Sequence, residues 1–508
     1  MKALIKNILN VECKKHIQRH FQYLEQLHDH IDRKSRREGK AAPKRIYRPL
    51  WWSVAPQFNP FKVRAAKKLK TYSYALAEKI RSRKYEPQPA LIRYVAKEDG
   101  TRRKLNVFQL PDSAISTLTY KSLLHKNLPR FSGYAYAYRE DRTPHDAVNE
   151  IYSEWKGLDR VYVAEYDFSK FFDEISHDYL WAVLDTHEFI VSPSERHVIE
   201  TFLKSTAAEI IDYPNNARRR DRGIPQGTSI SLFLANVACW ELDRRLERLG
   251  VGFARYADDT LIWSTRYEGV TSAYDAIDEC ASRMGVALNR DKSAGISLLS
   301  RVGVPEMNVK EGIDYLGYSI ALDRVSIAAK KVDKIKARIS FLIYQNLIQP
   351  LTQKRIFNST RLTANVDMDY LTAVRQVRYY LYGGLSEDKL KQYVDGRISD
   401  LNFRGVMSYY PVVNDIGQLA NLDGWLAYTF RQALKLRARL WQKNDGTELP
   451  GPSDDWIDNV ADMQFIPITS TELADARLPS FRRINRALRY AVSQKGIKAV
   501  ANTRIKYY

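Results

Sequence analysis

Three aspartates stand at the ends of segments with strand-forming sequences. Asp167 follows the β-rich run RVYVAEY, and Asp258 and Asp259 lie between VGFARY (251–256) and TLIWST (260–265). The last two segments are short and close enough to form a hairpin with both acids at its tip. If these strands are neighbours of the strand before Asp167, the carboxylates meet and offer the hard oxygen ligands that Mg²⁺ prefers. Two divalent ions held about 3.5–4 Å apart would activate a hydroxyl and hold a triphosphate, which is the chemistry of nucleotidyl transfer.

The tetrad formed by residues 256–259 is weak evidence by itself. A shuffled chain of this composition contains a Y-x-D-D pattern roughly one time in ten, so an exposed Asp-rich turn is the alternative. The elements that would position the acids support the first interpretation. From Ala90 to about Leu322, strand-like and helix-like segments alternate as in an α+β domain, and residues 330–444 carry apolar residues at helical spacing.

Five segments of this region follow the order of the palm motifs of one polymerase family. They are AEYDFSKFFDEISHDYL, RGIPQGTSISLFLANVACWELD, RYADDTLIW, GVALNRDKS and DYLGYSI. The chain thereby resembles bacterial and group II intron-type reverse transcriptases, and VAKEDGTRRKLNVFQLPD and YAYAYREDRTPHDAV resemble their fingers motifs. The matches span about residues 90–322, nearly half of the chain, so chance explains them poorly. The resemblance implies an α+β right-hand polymerase fold, with fingers, palm, a helical thumb and a helical C-terminal extension.

The resemblance also implies roles for the acids. Asp167 and Asp258 are expected to bind both of two Mg²⁺ ions, for which Mn²⁺ can substitute, and Asp259 to contribute less critically. The backbone carbonyl of Phe168 is expected to complete one coordination shell. Lys292 matches the lysine proposed in polymerases as general acid for the departing pyrophosphate, and a solvated lysine is the alternative.

Five further residues match positions that bind the incoming nucleotide in this family. Phe172 falls at the steric-gate position, where a bulky ring collides with a ribose 2′-hydroxyl and favours dNTPs; a core aromatic is the alternative. Gln226 and Gly227 match contacts to the nucleotide and the template base. Lys97 and Arg103 match the fingers residues that grip the triphosphate, and ordinary surface cations are the alternative.

The tyrosines suggest two roles in handling a primer. The segment from Tyr315 to Tyr318 resembles the primer grip of the family, or equally a tight turn with packing tyrosines. Tyr507 and Tyr508 end a basic tail and are candidate protein primers, because a terminal hydroxyl can reach the metals without disturbing a core. A docked or idle tail is the alternative, and three other tyrosines could prime instead: Tyr94, Tyr380 and Tyr490.

Composition favours a polyanionic partner and argues against a membrane one. The chain of 508 residues carries 80 Lys+Arg against 59 Asp+Glu, a net charge of +21 spread from Lys2 to Lys506. The longest apolar run is too short to cross a bilayer, and the apolar run at the positively charged N-terminus is too short for a signal peptide. The three cysteines are isolated, so neither a disulfide framework nor a zinc ribbon is expected, and a cytoplasmic location is predicted.

These patterns divide the chain into four predicted parts. Residues 1–89 are a basic helical N-terminal extension, in which Pro60 to Arg83 are expected to form one helix. Residues 90–322 are the fingers and palm, 323–443 a helical thumb and connection, and 444–508 a basic C-terminal extension. No Cys/His-rich nuclease module and no RNase H domain is recognised. With its basic N-terminal extension, its helical C-terminal extension and its Tyr-Ala-Tyr-Arg segment (136–139), the chain resembles most the abortive-infection and other phage-defence reverse transcriptases.

The expected function is RNA-directed DNA synthesis from dNTPs, acting in antiviral defence with a dedicated non-coding RNA. The expected partners are an RNA template, the DNA product and other copies of the chain in a homo-oligomer. An RNA-dependent RNA polymerase is disfavoured by Phe172. The remaining alternatives are a group II intron or retron-like reverse transcriptase, and a splicing maturase or RNA-binding scaffold.

Overall fold

The computed structural model describes residues 1–38, 54–96, 100–289, 293, 295–302, 309–352, 367–445, 464–467 and 473–501. These residues form a mixed structure of helices and strands. The helices are α1 Lys2–Glu38, α2 Pro60–Val63, α3 Ala66–Arg81, α4 Leu110–Asn127, α5 Pro144–Trp155, α6 Phe171–Glu174, α7 His177–Thr186, α8 Pro193–Leu203, α9 Ser229–Ala238, α10 Trp240–Leu249, α11 Tyr267–Met284, α12 Ala329–Leu347, α13 Gln349–Thr352, α14 Met368–Tyr382, α15 Glu387–Val394, α16 Ile416–Asp445, α17 Phe481–Lys495 and α18 Ile497–Val500.

Sixteen strands lie within the described residues. They are β1 Ala90–Ala96, β2 Arg102–Val107, β3 Arg160–Tyr166, β4 Phe168–Ser169, β5 Thr206–Ala208, β6 Arg218–Arg219, β7 Gly252–Tyr256, β8 Asp259–Ser264, β9 Ala287–Leu288, β10 Ile296–Ser300, β11 Val309–Lys310, β12 Ile313–Tyr315, β13 Tyr318–Ile320, β14 Val325–Ile327, β15 Phe465–Pro467 and β16 Leu473–Asp475.

A five-stranded sheet of order β11-β10-β3-β8-β7 brings the aspartate-bearing segments together. The predicted hairpin is confirmed as β7 and β8, with Tyr256 opposite Asp259. The central strand β3 runs antiparallel to β8, and Tyr166 pairs with Thr260. A second sheet, of order β2-β1-β5-β6, carries the predicted fingers segment.

The two faces of the five-stranded sheet pack against different cores. Side chains alternate between faces along a strand. Val161 and Val163 join a core with α5 and the later helices, whereas Ala164 and Tyr166 join a core with α7, α9 and α11. The sheet is therefore buried on both sides, and its strand ends are where polar side chains can reach solvent.

The N-terminal part is helical, as predicted, with one correction. The segment from Pro60 to Arg83 was expected to form one helix, but α2 ends at Val63 and α3 begins at Ala66. Ala65 between them has an extended backbone, with φ −56° and ψ 131°. This break lets Val63 and residues of α3 both pack against α1 in a small separate core.

The region after β14 is mostly helical, as its apolar spacing indicates. The helices α12, α14, α15, α16 and α17 contribute buried residues to one hydrophobic core, which continues to the five-stranded sheet. The predicted boundaries between the last three parts lie at residues 322–323 and 443–444. The core contains residues on both sides of the first boundary and includes α17, which lies beyond the second. The four-part division remains a prediction, because packing at these two points is continuous.

Within the described ranges, no helix combines the length and the apolar character that a bilayer span requires.

Candidate active site at the end of the five-stranded sheet

The strand register places two of the predicted catalytic acids side by side. Asp167 follows the last residue of β3, and Asp259 begins β8, whose next residue pairs with Tyr166. Asp258 is the second residue of the two-residue turn between β7 and β8. All three aspartates are half-buried, so their carboxylates lie at the border between the sheet and solvent.

Asp167 is held by the strand end that follows α11. The backbone N–H of Asn289 donates to the carbonyl of Asp167 (2.8 Å), and Nδ2 of Asn289 donates to its carboxylate (3.2 Å). The adjacent strands β4 and β9 pair Phe168 with Leu288. Sequence reasoning missed Asn289, although it stands in the quoted motif GVALNRDKS.

A buried ion pair between β7 and α10 is hydrogen-bonded to the turn that carries Asp258. Arg255 of β7 and Asp243 of α10 have fully buried side chains, and their two parallel hydrogen bonds are each 2.6 Å long. Although burial disfavours its charge, the adjacent Asp243 carboxylate raises the pKa of Arg255 further above its ordinary value. Nη1 of Arg255 also donates to the carbonyl of Ala257 in the turn (2.9 Å).

The opposite side of the turn meets Tyr315. Its hydroxyl lies 2.9 Å from the carbonyl oxygen of Ala254 and 3.2 Å from that of Asp259. Leu316 and Gly317 connect β12 to β13 with φ angles of +51° and +86°, the signature of a tight hairpin turn. Tyr315 and Tyr318 are buried. This geometry fits the tight-turn alternative, and the primer-grip role of the segment remains a prediction.

The residues expected to bind the nucleotide lie between β2, α6 and α9. The N–H of Asn106 donates to the carbonyl of Gln226 (2.7 Å), and the N–H of Ile224 donates to that of Phe172 (2.6 Å). A Cβ on Gly227 would lie 2.4 Å from the carbonyl oxygen of Asn106, and φ at Gly227 is +117°. Only glycine fits such a close approach.

Phe172 is partly buried, and its ring meets that of Phe171 edge to face at 5.5 Å between centroids. Phe171 itself is buried and stacks on Phe168. Phe172 thus borders the core rather than filling it. The part of its ring that is not buried can contact a bound nucleotide.

A charged group beside these residues was not predicted. Nε2 of Gln226 donates to the carboxylate of Asp173 (3.4 Å). Burial raises the pKa of Asp173, while the positive charges of Arg220 and Lys104 oppose that rise. Burial likewise lowers the pKa of Arg220, and Asp173 opposes that change. Arg103, the predicted triphosphate contact, is exposed on β2 and, by strand alternation, faces away from the side of Lys104.

A cavity of about 520 Å³ adjoins Gly227 and is closed on one side by α1. Three of the residues that line the cavity carry a positive charge. Asn106, which also lines it, is 3% exposed, and its buried Oδ1 has no hydrogen-bond partner in the described chain. His16 of α1 lines the same cavity, and burial lowers its pKa to about 4. The positive charges of Arg19 and Lys15 contribute to this decrease. The charged and amide residues at the cavity are Glu12, Lys15, Arg19, Arg93 and Asn106.

Several predicted site residues lie outside the described part of the chain. They are Lys97, Lys292, Tyr507 and Tyr508. Of the alternative priming tyrosines, Tyr94 is exposed and donates to Glu209 (3.0 Å). Burial raises the pKa of Tyr380, and Tyr490 packs against Tyr393 at 5.4 Å between ring centroids.

The donor set suits a hard divalent cation, because it consists of half-exposed carboxylates at neighbouring strand ends. As arranged, however, the described side chains contain no group of three or more His, Cys, Asp or Glu residues that could hold a metal ion. The register thus brings the acids to one place, and the described side chains do not form a closed metal site.

Comparison with known proteins identifies part of the chain. Residues 95–320 match the sequence model of the family described as reverse transcriptase (RNA-dependent DNA polymerase). Group II intron-encoded protein LtrA of Lactococcus lactis subsp. cremoris is 29% identical over 178 residues, covering 35% of this chain and 28% of that protein. Protein YkfC of Escherichia coli is 27% identical over 184 residues, covering 35% of this chain and 47% of YkfC.

An uncharacterized 91 kDa protein in the cob intron of Schizosaccharomyces pombe is 25% identical over 174 residues, covering 34% of this chain and 21% of that protein. The chain thus matches between about a fifth and a half of the length of these relatives.

Two solved telomerase structures overlap with the chain at low similarity. Telomerase of Candida tropicalis without its C-terminal domain has a TM-score of 0.36 at 12% identity, covering 47% of this chain and 55% of its own. Telomerase of Candida albicans with a fragment of telomeric RNA has a TM-score of 0.37 at 12% identity, covering 75% and 65%. Such scores do not define a common fold, so the assignment depends on the sequence matches. Residues 95–320 carry a reverse transcriptase domain, with distant relatives among group II intron-encoded proteins.

Proposed function

We propose that the chain is an RNA-directed DNA polymerase, a nucleotidyltransferase that adds dNTPs to a growing DNA strand. One observation carries this proposal: Asp167 and Asp259 lie side by side in the strand register, and Asp258 stands at the adjoining turn. These acids occur within the segment that matches the reverse transcriptase family. In this proposal the five-stranded sheet is the palm, β1 and β2 belong to the fingers, and α12 begins the thumb.

Asp167 and Asp258 would hold two Mg²⁺ ions, with Asp259 and the carbonyl of Phe168 as weaker contributors, and Mn²⁺ could replace Mg²⁺. Such ions, when bound, lower the pKa of the primer 3′-hydroxyl and neutralise charge on the triphosphate. The protein's own part is to fix the carboxylates. Asn289 does so for Asp167 through its backbone and its amide.

The incoming dNTP would lie against Phe172 and Gln226, with Gly227 giving the template base close access to the backbone. Arg103 and Lys97 would bind the triphosphate, and Lys292 would protonate the departing pyrophosphate. The carboxylate of Asp173 accepts from Nε2 of Gln226, and the attraction between Asp173 and Arg220 favours the charged form of each. They would keep the Gln226 amide oriented toward the nucleotide.

The RNA template would pass the cavity beside Gly227. Its cationic residues, Lys15, Arg19 and Arg93, can neutralise phosphates and outnumber the one carboxylate at the cavity, that of Glu12. The net charge of +21 supports the same polyanionic partner.

The experiment is primer extension by the purified protein on a defined RNA template, with dNTPs or rNTPs and with Mg²⁺ or Mn²⁺. The expected product is DNA complementary to the template, formed only with a divalent ion. Incorporation of rNTPs in preference to dNTPs would make the chain an RNA polymerase. RNA binding without any synthesis under either ion would favour a maturase or scaffold.

We also propose that this activity serves defence against phage, with a dedicated non-coding RNA and a homo-oligomeric protein. The support for this finer assignment is the sequence resemblance beyond the matched segment, namely the basic N-terminal part and the helical C-terminal part. Cells that express the chain with its flanking DNA should restrict phage, and the Asp258→Ala variant should not. Equal restriction by both would reject a defence role that depends on DNA synthesis.

A group II intron or retron-like enzyme is the second candidate, and the similarity to LtrA favours it. Sequencing the RNA that copurifies with the chain separates the two. Intron RNA would support the second candidate, whereas a short RNA encoded beside the gene would support the first or a retron.

A further inference from the structure

The side chain of Arg255 connects the core to the turn that carries Asp258. Its Nε and Nη2 donate to the two carboxylate oxygens of Asp243, each at 2.6 Å, and both side chains are fully buried. The remaining nitrogen, Nη1, donates to the carbonyl of Ala257 at 2.9 Å and lies 3.3 Å from Oδ1 of Asn236. One guanidinium therefore joins α10, α9 and the turn.

A buried ion pair is weak evidence for stability, because desolvation offsets the attraction between the charges. Apolar side chains of similar volume would fill this site at least as well. A contribution to stability therefore does not explain why this site holds an ion pair. The hydrogen bond from Nη1 of Arg255 to the carbonyl of Ala257 in the turn suggests another role.

That backbone group belongs to a strained residue. Ala257 has φ +64°, a left-handed conformation that non-glycine residues adopt only when their surroundings hold them there. The carbonyl of Ala257 is part of the peptide unit that begins Asp258. A donor fixed on this oxygen sets the orientation of that peptide plane and, with it, the direction in which the Asp258 side chain leaves the turn.

We propose that the Asp243–Arg255 pair is a positioning device for Asp258. Asp243 aligns the guanidinium fork, and Arg255 holds the Ala257 carbonyl so that Asp258 points toward Asp167. This inference rests on the proposed polymerase function. Arg255 is a positioning residue, since it acts through the turn and lies on the opposite face of the sheet from Asp259.

The same residue ties the turn to the segment YAYAYRED. The backbone N–H of Arg255 donates to Tyr134 and its carbonyl accepts from Tyr136, each at 2.9 Å. Asn236 donates to the carbonyl of Ala137 (3.0 Å). Arg255 and Asn236 are thus themselves held by hydrogen bonds to this segment, as precise positioning of a catalytic side chain requires.

Two variants separate positioning from packing. Arg255→Lys keeps the charge and loses the planar fork, so it can no longer bind Asp243 and Ala257 together. The double variant Asp243→Leu with Arg255→Met replaces the pair by apolar side chains and keeps the core filled. The matched control is Arg437→Lys, because Arg437 is also fully buried and pairs with the aspartates Asp367 and Asp369 in the helical region.

Three quantities are measured on each full-length protein: the melting temperature, the affinity for Mn²⁺ by water-proton relaxation, and the rate of primer extension. We expect the double variant to melt near the wild-type temperature. Its Mn²⁺ affinity and its extension rate should each fall about tenfold to a hundredfold, since loss of a residue that orients a metal ligand has about this effect on metal affinity or activity. Arg255→Lys should behave similarly, whereas Arg437→Lys should lower only the melting temperature.

Wild-type Mn²⁺ affinity and extension rate in a folded double variant would overturn the proposal and leave the pair a packing feature. If the double variant does not fold, the comparison of Arg255→Lys with Arg437→Lys decides by the same two readouts. Wild-type protein that binds Mn²⁺ but extends no primer would instead refute the polymerase function. In that case the Mn²⁺ affinities alone would still test the positioning of Asp258.

Discussion

Phe172 is the residue on which the choice between deoxyribonucleotides and ribonucleotides depends in this account. Its ring is partly buried beside Phe171, and its carbonyl is held by Ile224. Phe172→Ala should therefore leave the fold intact and remove the obstacle to a 2′-hydroxyl. The ratio of rNTP to dNTP incorporation, measured by primer extension, should rise at least about tenfold.

The control for this change is Phe171→Leu, which alters the buried neighbour and should reduce stability by about 1 kcal/mol while leaving sugar selection unchanged. Unaltered discrimination in folded Phe172→Ala would make Phe172 a core aromatic.

At the scale of single residues, the sequence predicts where the three aspartates lie but not the residues that support them, and the catalytic role of the aspartates stays a prediction. Asp167, Asp258 and Asp259 could be predicted because strand-forming segments flank them and fix where they must lie. Arg255 and Asp243 are 12 positions apart in the chain, on a strand and a helix, and only the tertiary packing of α10 shows that they pair.

The helix α5 and the strand β13 are joined by a buried histidine. The hydroxyl of Tyr318 donates to the carbonyl of Tyr409 (3.0 Å) and accepts from Nδ1 of His145 (2.9 Å). Nε2 of His145 is buried without a partner in the described chain. Burial lowers the pKa of His145 to about 4, and Asp146 opposes this change only weakly.

Because the pKa of His145 is lowered in the folded chain, the protein should become less stable as the pH falls. His145 is neutral in the folded chain, whereas an unfolded chain binds a proton below pH 6.5, the usual pKa of histidine. Stability is therefore complete above pH 6.5 and is lost as the pH falls toward 4, by at most about 1.4 kcal/mol per pH unit. The decrease in melting temperature between pH 7 and pH 5 should be smaller for His145→Gln than for the wild type.

The exposed His125 provides the comparison, and His125→Gln should keep the wild-type decrease. An identical decrease for His145→Gln would show that another group causes the acid sensitivity.

At the scale of elements, the hairpin and the long helices follow from patterns that the sequence contains. Two short strand-forming runs on either side of Ala257 to Asp259 predict β7 and β8, and apolar residues three and four apart predict α12 and α16. The break between α2 and α3 has no such signal, because the residues around Ala65 favour a helix and only packing against α1 separates them.

Across the whole molecule, the net charge of +21 predicts RNA binding that depends strongly on salt. The logarithm of the affinity should fall linearly with the logarithm of the salt concentration, by about 0.7 for each phosphate contact to a single strand. Removing two cations of α1 with Lys15→Ala and Arg19→Ala should reduce that slope by about 1.4, if both contact the template at the cavity.

Lys156→Ala, an exposed lysine at the end of α5, should leave the slope within error of the wild type. The same slope for the α1 variant would place the template elsewhere. Sequence reasoning assigned residues 1–89 a basic helical character, but the contribution of α1 to a cavity beside Gly227 depends on long-range packing that no local pattern encodes.

DNA synthesis at the predicted catalytic aspartates is tested most directly by primer extension with Asp258→Ala beside Asp395→Ala, which changes an exposed aspartate at the end of α15. Both proteins should melt within a few degrees of the wild type, because a half-exposed or exposed carboxylate contributes about 1 kcal/mol or less. Extension by Asp258→Ala should fall at least about a thousandfold, because a metal ligand for the transferring phosphoryl group is lost. Asp395→Ala should extend at the wild-type rate. Wild-type extension by folded Asp258→Ala would contradict the account.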